Sequence, residues 1–160
     1  MYQATGGADS GDSATRHLPF HGAKVAILVG DALVTILRDD IPTIPWPGYW
    51  DLPGGARDPG ETAVQTVTRE CDEELGLSLS EDRLAWGVPV RSPPSNVWFF
   101  VCEWPDFDPS LVTFGGEGQR WALAPVEWFL TRARSIPQHR QRLAAYLARR
   151  DAVRRSVVRA

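Results

Sequence analysis

The sequence predicts a single α+β domain, on three observations. Short apolar runs bounded by turn residues recur along the chain. Thr62 to Leu75 carries its apolar residues at helical spacing, and a second helical stretch runs from Pro137 to about Arg155. With 160 residues, one domain can bury a sizeable core. A hydrophobic share of 43% and a charged share of 23% are those of a soluble globular chain, and no apolar run is long enough to span a bilayer. Membrane partners are therefore not expected. The formal charge of −3 argues against nucleic acid as a partner. The N-terminus lacks the basic start and apolar centre of a secretory signal, so the expected compartment is the cytoplasm. Cys71 and Cys102 both lie in apolar surroundings without metal-ligand spacing and read as reduced, packed thiols.

Each element follows from its residues. Residues 1–19 are rich in Gly, Ser, Ala, Thr and Asp, bury little, and read as a flexible tail before a domain spanning 20–160. His17 and His21 read as a surface pair. Lys24–Val29 and Ala32–Leu37 are β-branched runs joined by Gly30-Asp31, a hairpin signal. The stretch Ile41–Trp50 holds three prolines, which forbid a regular helix or central strand, and so forms a shaped loop. Trp50-Asp51-Leu52 reads as a short strand ahead of a Pro53-Gly54-Gly55 turn. In the Thr62–Leu75 helix, Ala63, Val64, Val67, Cys71 and Leu75 form the apolar stripe, and Gly76 is placed to end it. Arg83–Arg91 and Val97–Glu103 read as strands around a Ser92–Asn96 turn. Gln119–Leu123 is another short strand, after a glycine-rich loop at 115–118. Pro125–Thr131 reads as a short helix. Leu143, Tyr146, Leu147 and Val153 are the expected inner side of the terminal helix, and Trp98 and Trp128 are expected in the core.

One stretch breaks the local rules. Glu70, Glu73 and Glu74 fall at i, i+3 and i+4, so a helix stacks three like charges on one face, at a cost of roughly 0.2–0.5 kcal/mol per pair. They also sit in the last turns before Gly76, where the helix dipole disfavours anions. Broken local rules mark functional sites, and hard oxygen ligands on a rigid element suit Mg2+ or a similar cation. Arg69 lies four residues before Glu73, within pairing reach.

The wider pattern is G-x5-E-x7-R-E-U-x-E-E-x-G-U, with U apolar. Gly55, Glu61, Arg69, Glu70, Cys71, Glu73, Glu74, Gly76 and Leu77 fill it completely. In this box the chain resembles the Nudix hydrolases. Trp50-Asp51-Leu52-Pro53-Gly54-Gly55 looks like that family's strand-and-turn entry. The resemblance implies an α/β/α sandwich around a mixed sheet and hydrolysis of a nucleoside diphosphate linked to a group X. It also implies a divalent metal, Mg2+ with Mn2+ as the alternative, to neutralise phosphate charge and activate water. Glu70, Glu73 and Glu74 are the implied metal ligands, with the Gly54 carbonyl as a further one. Glu73, Glu74, Arg69 and Glu61 form the implied catalytic set, in which Arg69 and Glu61 orient the carboxylates.

Within the family, the chain is similar to the branch that cleaves 8-oxo-dGTP and other nucleoside triphosphates. Gly116-Glu117-Gly118-Gln119 resembles a Lys-Glu-Gly-Gln stretch whose glutamate is metal-linked there. Glu117 is accordingly a candidate ligand on a loop its glycines would leave mobile, against the reading of a plain polar turn. Arg38 resembles that branch's phosphate-contacting arginine, against simple pairing with Asp39 or Asp40. Trp46, Tyr49 and Trp50 offer rings on which a base would stack. The asparagine those relatives use to read the base has no counterpart in Ala122–Glu127. The expected substrate is a nucleotide, converted to nucleoside monophosphate and pyrophosphate by a monomer or homodimer. Cleavage of ADP-ribose or a nucleotide sugar is the enzymatic alternative, to which Pro93 or Pro94 would correspond. A nucleotide-binding module without activity is the alternative of another class. The arginines of the terminal helix read as a solvated basic face.

Overall fold

In the computed structural model, which describes residues 18–158, seven strands form one mixed sheet. The strands are β1 (Phe20–Val29), β2 (Ala32–Leu37), β3 (Trp50–Asp51), β4 (Gly54–Ala56), β5 (Leu84–Ser92), β6 (Ser95–Glu103) and β7 (Arg120–Pro125). The helices are α1 (Ala63–Leu75), α2 (Val126–Thr131) and α3 (Pro137–Val158). The sheet runs β3-β2-β1-β6-β5, with β4 also paired to β1 and β7 to β2. Only β1 and β6 pair in parallel; the other pairings are antiparallel.

Side-chain alternation sends β1 and β2 into two cores. Val25, Ile27, Val34 and Ile36 meet Val67, Cys71 and Leu75 of α1 on one face. Ala26, Leu28 and Leu33 meet Phe99, Phe129, Leu143 and Tyr146 on the other, under α2 and α3. The result is the α/β/α layering expected from the box. Both cysteines are free and buried, and burial raises their thiol pKa values, that of Cys102 to about 12. Among the described residues no helix is long and apolar enough to cross a membrane.

β1 begins at Phe20, and the Pro19 carbonyl accepts from the Asn96 side chain at 2.8 Å. Residues 1–17 lie outside the described residues, His17 among them. Two expectations need correction. Of the expected Pro53-Gly54-Gly55 turn, Gly54 and Gly55 belong instead to a strand, Gly54–Ala56, because the glycines let it lie flush against Gly22–Lys24 of β1. Val153 is 55% exposed, because the last contact of α3 with the sheet is Arg150 to Glu103 at 3.2 Å, and its described residues beyond Arg150 are all exposed.

Candidate active site

α1 begins with a capping box: Thr62 accepts from the Gln65 N–H at 3.2 Å, and the Gln65 side chain accepts from the Thr62 N–H at 2.8 Å. It ends at Gly76, in left-handed backbone at φ 62°, whose N–H bonds the Asp72 carbonyl at 2.8 Å. Two further carbonyls of the last turn are met from outside. Thr113 N–H bonds Leu75 O and Gly115 N–H bonds Glu74 O, each at 2.8 Å. The segment leading to Glu117 is thereby fastened to the end of the acidic helix.

Arg69 ties the box together. Its guanidinium reaches Glu61 at 2.7 Å, Glu70 at 2.9 Å, Glu73 at 3.3 Å and the Ala56 carbonyl at 2.8 Å. The Glu73 contact is the longest of these, so the i,i+4 pairing is secondary to Glu61. Arg69's hydrogen bond pulls the Glu61 carboxyl down to about 2. Glu70 packs so closely over β4 that a Cβ on Gly55 would lie 2.6 Å from its Oε2. A Cβ on Gly54, at φ 126°, would run into the Ala23 carbonyl. Both glycines are therefore required by close approach.

Glu70 and Glu74 are the two electrostatically loaded carboxylates. Burial raises Glu70 despite its Arg69 bonds. Burial, with Asp51 and Glu70 nearby, pushes Glu74 up to about 7, although Lys24 and the Gly54 N–H act the other way. Glu74 accepts from that N–H at 2.9 Å. Glu73 is exposed. The five expected ligands are not gathered into one shell. Among the described residues no group of three or more His, Cys, Asp or Glu stands close enough to hold a metal ion. Each half-buried oxygen takes the nearest donor instead: Arg69 for Glu70, Gly54 N–H for Glu74, and the Lys24 ammonium for the Gly54 carbonyl at 2.7 Å. The donor set still fits a hard divalent cation: it is all oxygen, three of its carboxylates lie on one helix, and burial holds the two partly buried carboxyls above their ordinary values.

Glu117 is exposed and lines, with Glu74, Asp39 and Arg38, a cavity of about 270 Å3. The loop expected to be mobile is pinned: Gly118 N–H donates to Asp39 at 3.1 Å, Gln119 N–H to Leu37 O at 2.8 Å, and the Gln119 amide to Arg38 O at 2.7 Å.

On the opposite face, a residue absent from the sequence expectations organises the surroundings. Asp51 is buried and holds Lys24 and Arg38 at 3.0 Å each and His139 Nε2 at 3.2 Å, while its Oδ1 accepts from Leu52 N–H at 2.7 Å. Burial alone would raise its carboxyl, but Lys24 and His139 hold it well below the ordinary range. Burial in turn lowers His139, against the pull of Asp51. Arg38 thus pairs with Asp51, and neither Asp39 nor Asp40 is its partner. Arg38 and Asp51 line both the acidic cavity and a second one of about 290 Å3. His21, expected at the surface, lines that second cavity and bonds Ser95 Oγ at 3.0 Å.

Of the expected stacking residues, Trp46 is 36% exposed and lines the second cavity, with Tyr49 edge-on to it at 5.1 Å. Trp50 does not belong with them. It is 5% exposed in the core, packed against Trp128 at 5.2 Å with Arg120 over its ring, because β3 carries it beneath β2 and α2. Lys24 stands at the head of the apolar run Val25–Val29, a charge whose burial requires a partner, but its sequence position does not point to Asp51 as that partner.

A family model for the NUDIX domain matches residues 20–146. The chain belongs to the NUDIX family. The 8-oxo-dGTP diphosphatase of Proteus vulgaris is 33% identical over 60 residues, which are 36% of this chain and 54% of that protein. A putative 8-oxo-dGTP diphosphatase of Bacillus subtilis (strain 168) is 38% identical over 60 residues, 37% of this chain and 36% of that one. The chain thus spans about half of the first relative and about a third of the second. Among solved NUDIX-like folds, the MutT protein from Methanosarcina mazei Go1 superposes with a TM-score of 0.59 at 22% identity, covering 78% of this chain and 91% of that one. A Nudix hydrolase from M. smegmatis, RenU, gives 0.61 at 20% identity, covering 83% and 86%. These likenesses are to the fold.

Proposed function

We propose that this NUDIX domain hydrolyses the pyrophosphate linkage of a nucleoside triphosphate, or an oxidised one, to nucleoside monophosphate and pyrophosphate. The observation that carries this reading is the placement of the box. Glu70 and Glu74 are half-buried on one face of α1 over Gly54 and Gly55 of β4, and Glu117 faces the same cavity as Glu74. The names of the curated relatives, 8-oxo-dGTP diphosphatases, support the oxidised nucleotide.

Glu70, Glu73 and Glu74 would hold a divalent cation, Mg2+ or Mn2+, with Glu117 and the Gly54 carbonyl as further oxygens. Bound there, the cation would neutralise phosphate charge and make water a better nucleophile. Arg69 and Glu61 fix the direction of the carboxylates, since the guanidinium spans both ends of the box. Arg38, poised between the two cavities, supplies a cation for the phosphates. Trp46 and Tyr49 supply stacking surface for the base. In the reaction a water oxygen bonds to phosphorus and the bridging P–O bond breaks, with its electron pair leaving on the pyrophosphate. The water's proton passes to a box glutamate.

The test is a panel of nucleoside triphosphates, oxidised triphosphates and nucleotide sugars incubated with protein and Mg2+, with products identified by chromatography. Monophosphate plus pyrophosphate from the triphosphates supports the proposal. AMP plus ribose phosphate from ADP-ribose alone would replace it, and binding without turnover would make the domain a sensor.

A further inference from the structure

The box borrows a cation from outside its own motif. Antiparallel register sets Lys24 of β1 directly opposite Gly54 of β4. Each of the three ammonium protons has an oxygen to meet: the Gly54 carbonyl at 2.7 Å, the Leu52 carbonyl at 3.0 Å and Asp51 Oδ2 at 3.0 Å. The Lys24 side chain is only 15% exposed, so water screens its charge weakly. That charge reaches the acidic helix. Against the dominant effect of burial, it favours the ionised forms of Glu70 and Glu74.

The Gly54 carbonyl is also the backbone oxygen proposed above as a ligand of the divalent cation. A carbonyl oxygen has two lone pairs, so the ammonium takes one and leaves one. Sites built for two metal ions hold them about 3.5–4 Å apart, close enough to share an oxygen. Here one side of the oxygen already carries a fixed positive charge. A second divalent ion there would meet the ammonium at short range with little screening. Asp51 cannot turn to such an ion, because it is shared among Lys24, Arg38 and His139.

We infer that Lys24 is a resident cation of the site: its ammonium stands in for a second divalent ion on the Gly54 carbonyl and limits how many such ions the box accepts. This rests on the cation site proposed above, and not on which nucleotide is cleaved. Lys24 acts through the Gly54 oxygen and is a positioning residue.

Mn2+ is titrated into the whole chain without nucleotide, and the free ion is counted by electron paramagnetic resonance. K24Q should take up one more ion than wild type, or bind Mn2+ about tenfold or more tightly. K24R keeps the charge and should stay near wild type. K24Q also frees Asp51, so the gain should persist in K24Q/D51N, where the Gly54 carbonyl is still uncovered. Equal Mn2+ binding by wild type and folded K24Q overturns the inference. A gain that vanishes in K24Q/D51N also overturns it, since the freed carboxylate then accounts for the extra binding. Wild type supplies a test that needs no variant and decides the matter if one fails to fold. In 15N-labelled protein the Lys24 ammonium signal should persist, shifted, at saturating Mg2+; its loss would mean that the metal displaces the amine and would overturn the inference. No Mn2+ bound by wild type or any variant overturns the cation site itself, and the proposed hydrolysis with it.

Discussion

Replacing Asp51 by asparagine keeps the shape of the side chain and removes its charge, leaving Lys24 and Arg38 facing each other without an anion. Each lies 3.0 Å from the Asp51 carboxylate, a separation worth about 5 kcal/mol per pair at an effective dielectric near 20, before desolvation is subtracted. Breaking such a buried cluster costs about 3–5 kcal/mol net. For a domain of this size that lowers the thermal midpoint by roughly 6–20 °C. The loss is read by urea unfolding of wild type and D51N at several pH values. Asp51 has a folded pKa below its ordinary 3.8, so its stabilisation is full above that value and is lost as pH falls through the folded pKa. The gap between the two proteins should be constant from pH 7 to 5 and close only in strong acid. A loss below about 1 kcal/mol at pH 7 would refute the claim that Asp51 holds Lys24 and Arg38 in place.

Three further outcomes follow from the site. Mg2+ should raise the thermal midpoint of wild type by relieving repulsion at Glu70 and Glu74, and this gain should shrink in E70Q; an equal gain in both would count against the ligand assignment. R69K keeps a charge but loses the fork that spans Glu61, Glu70 and Ala56, so activity should fall about 10–100-fold with the fold intact; activity equal to wild type would remove Arg69 from its positioning role. Cys71 and Cys102 should resist a thiol reagent until the chain unfolds, as their burial requires, and immediate modification of native protein would contradict the two-sided core.

Much of the fold was legible because period and punctuation agreed. The α1 stripe of Val67, Cys71 and Leu75 is buried as its spacing demands, and Thr62 and Gly76 bound the helix as their chemistry demands. Gly30-Asp31 forms the two-residue turn between β1 and β2. Gly54–Ala56 carries no strand signal because a strand three residues long has no period to show. Trp50 is ambiguous in sequence because an aromatic beside a proline-rich loop looks the same whether it turns outward or inward; pairing with Leu37 decides it. The Asp51 network was hidden for a related reason. Lys24, Arg38, Asp51 and His139 are scattered in sequence and meet only when β1, β2, β3 and α3 converge, so no local spacing announces them. The box was readable because its function sits on consecutive turns of one helix.

The account's central claim is that the carboxylates of α1 carry the reaction, and E74Q tests it most directly. Burial already holds Glu74 at about 7, so a neutral isostere fits the site and the thermal midpoint should change little. The measurement is release of pyrophosphate from the best triphosphate of the panel, with Mg2+, by wild type and E74Q at equal concentration. The expected result is turnover by wild type and a loss of about a hundredfold or more in E74Q, the scale on which removal of one such charged group acts. Full activity in a folded E74Q would contradict the claim.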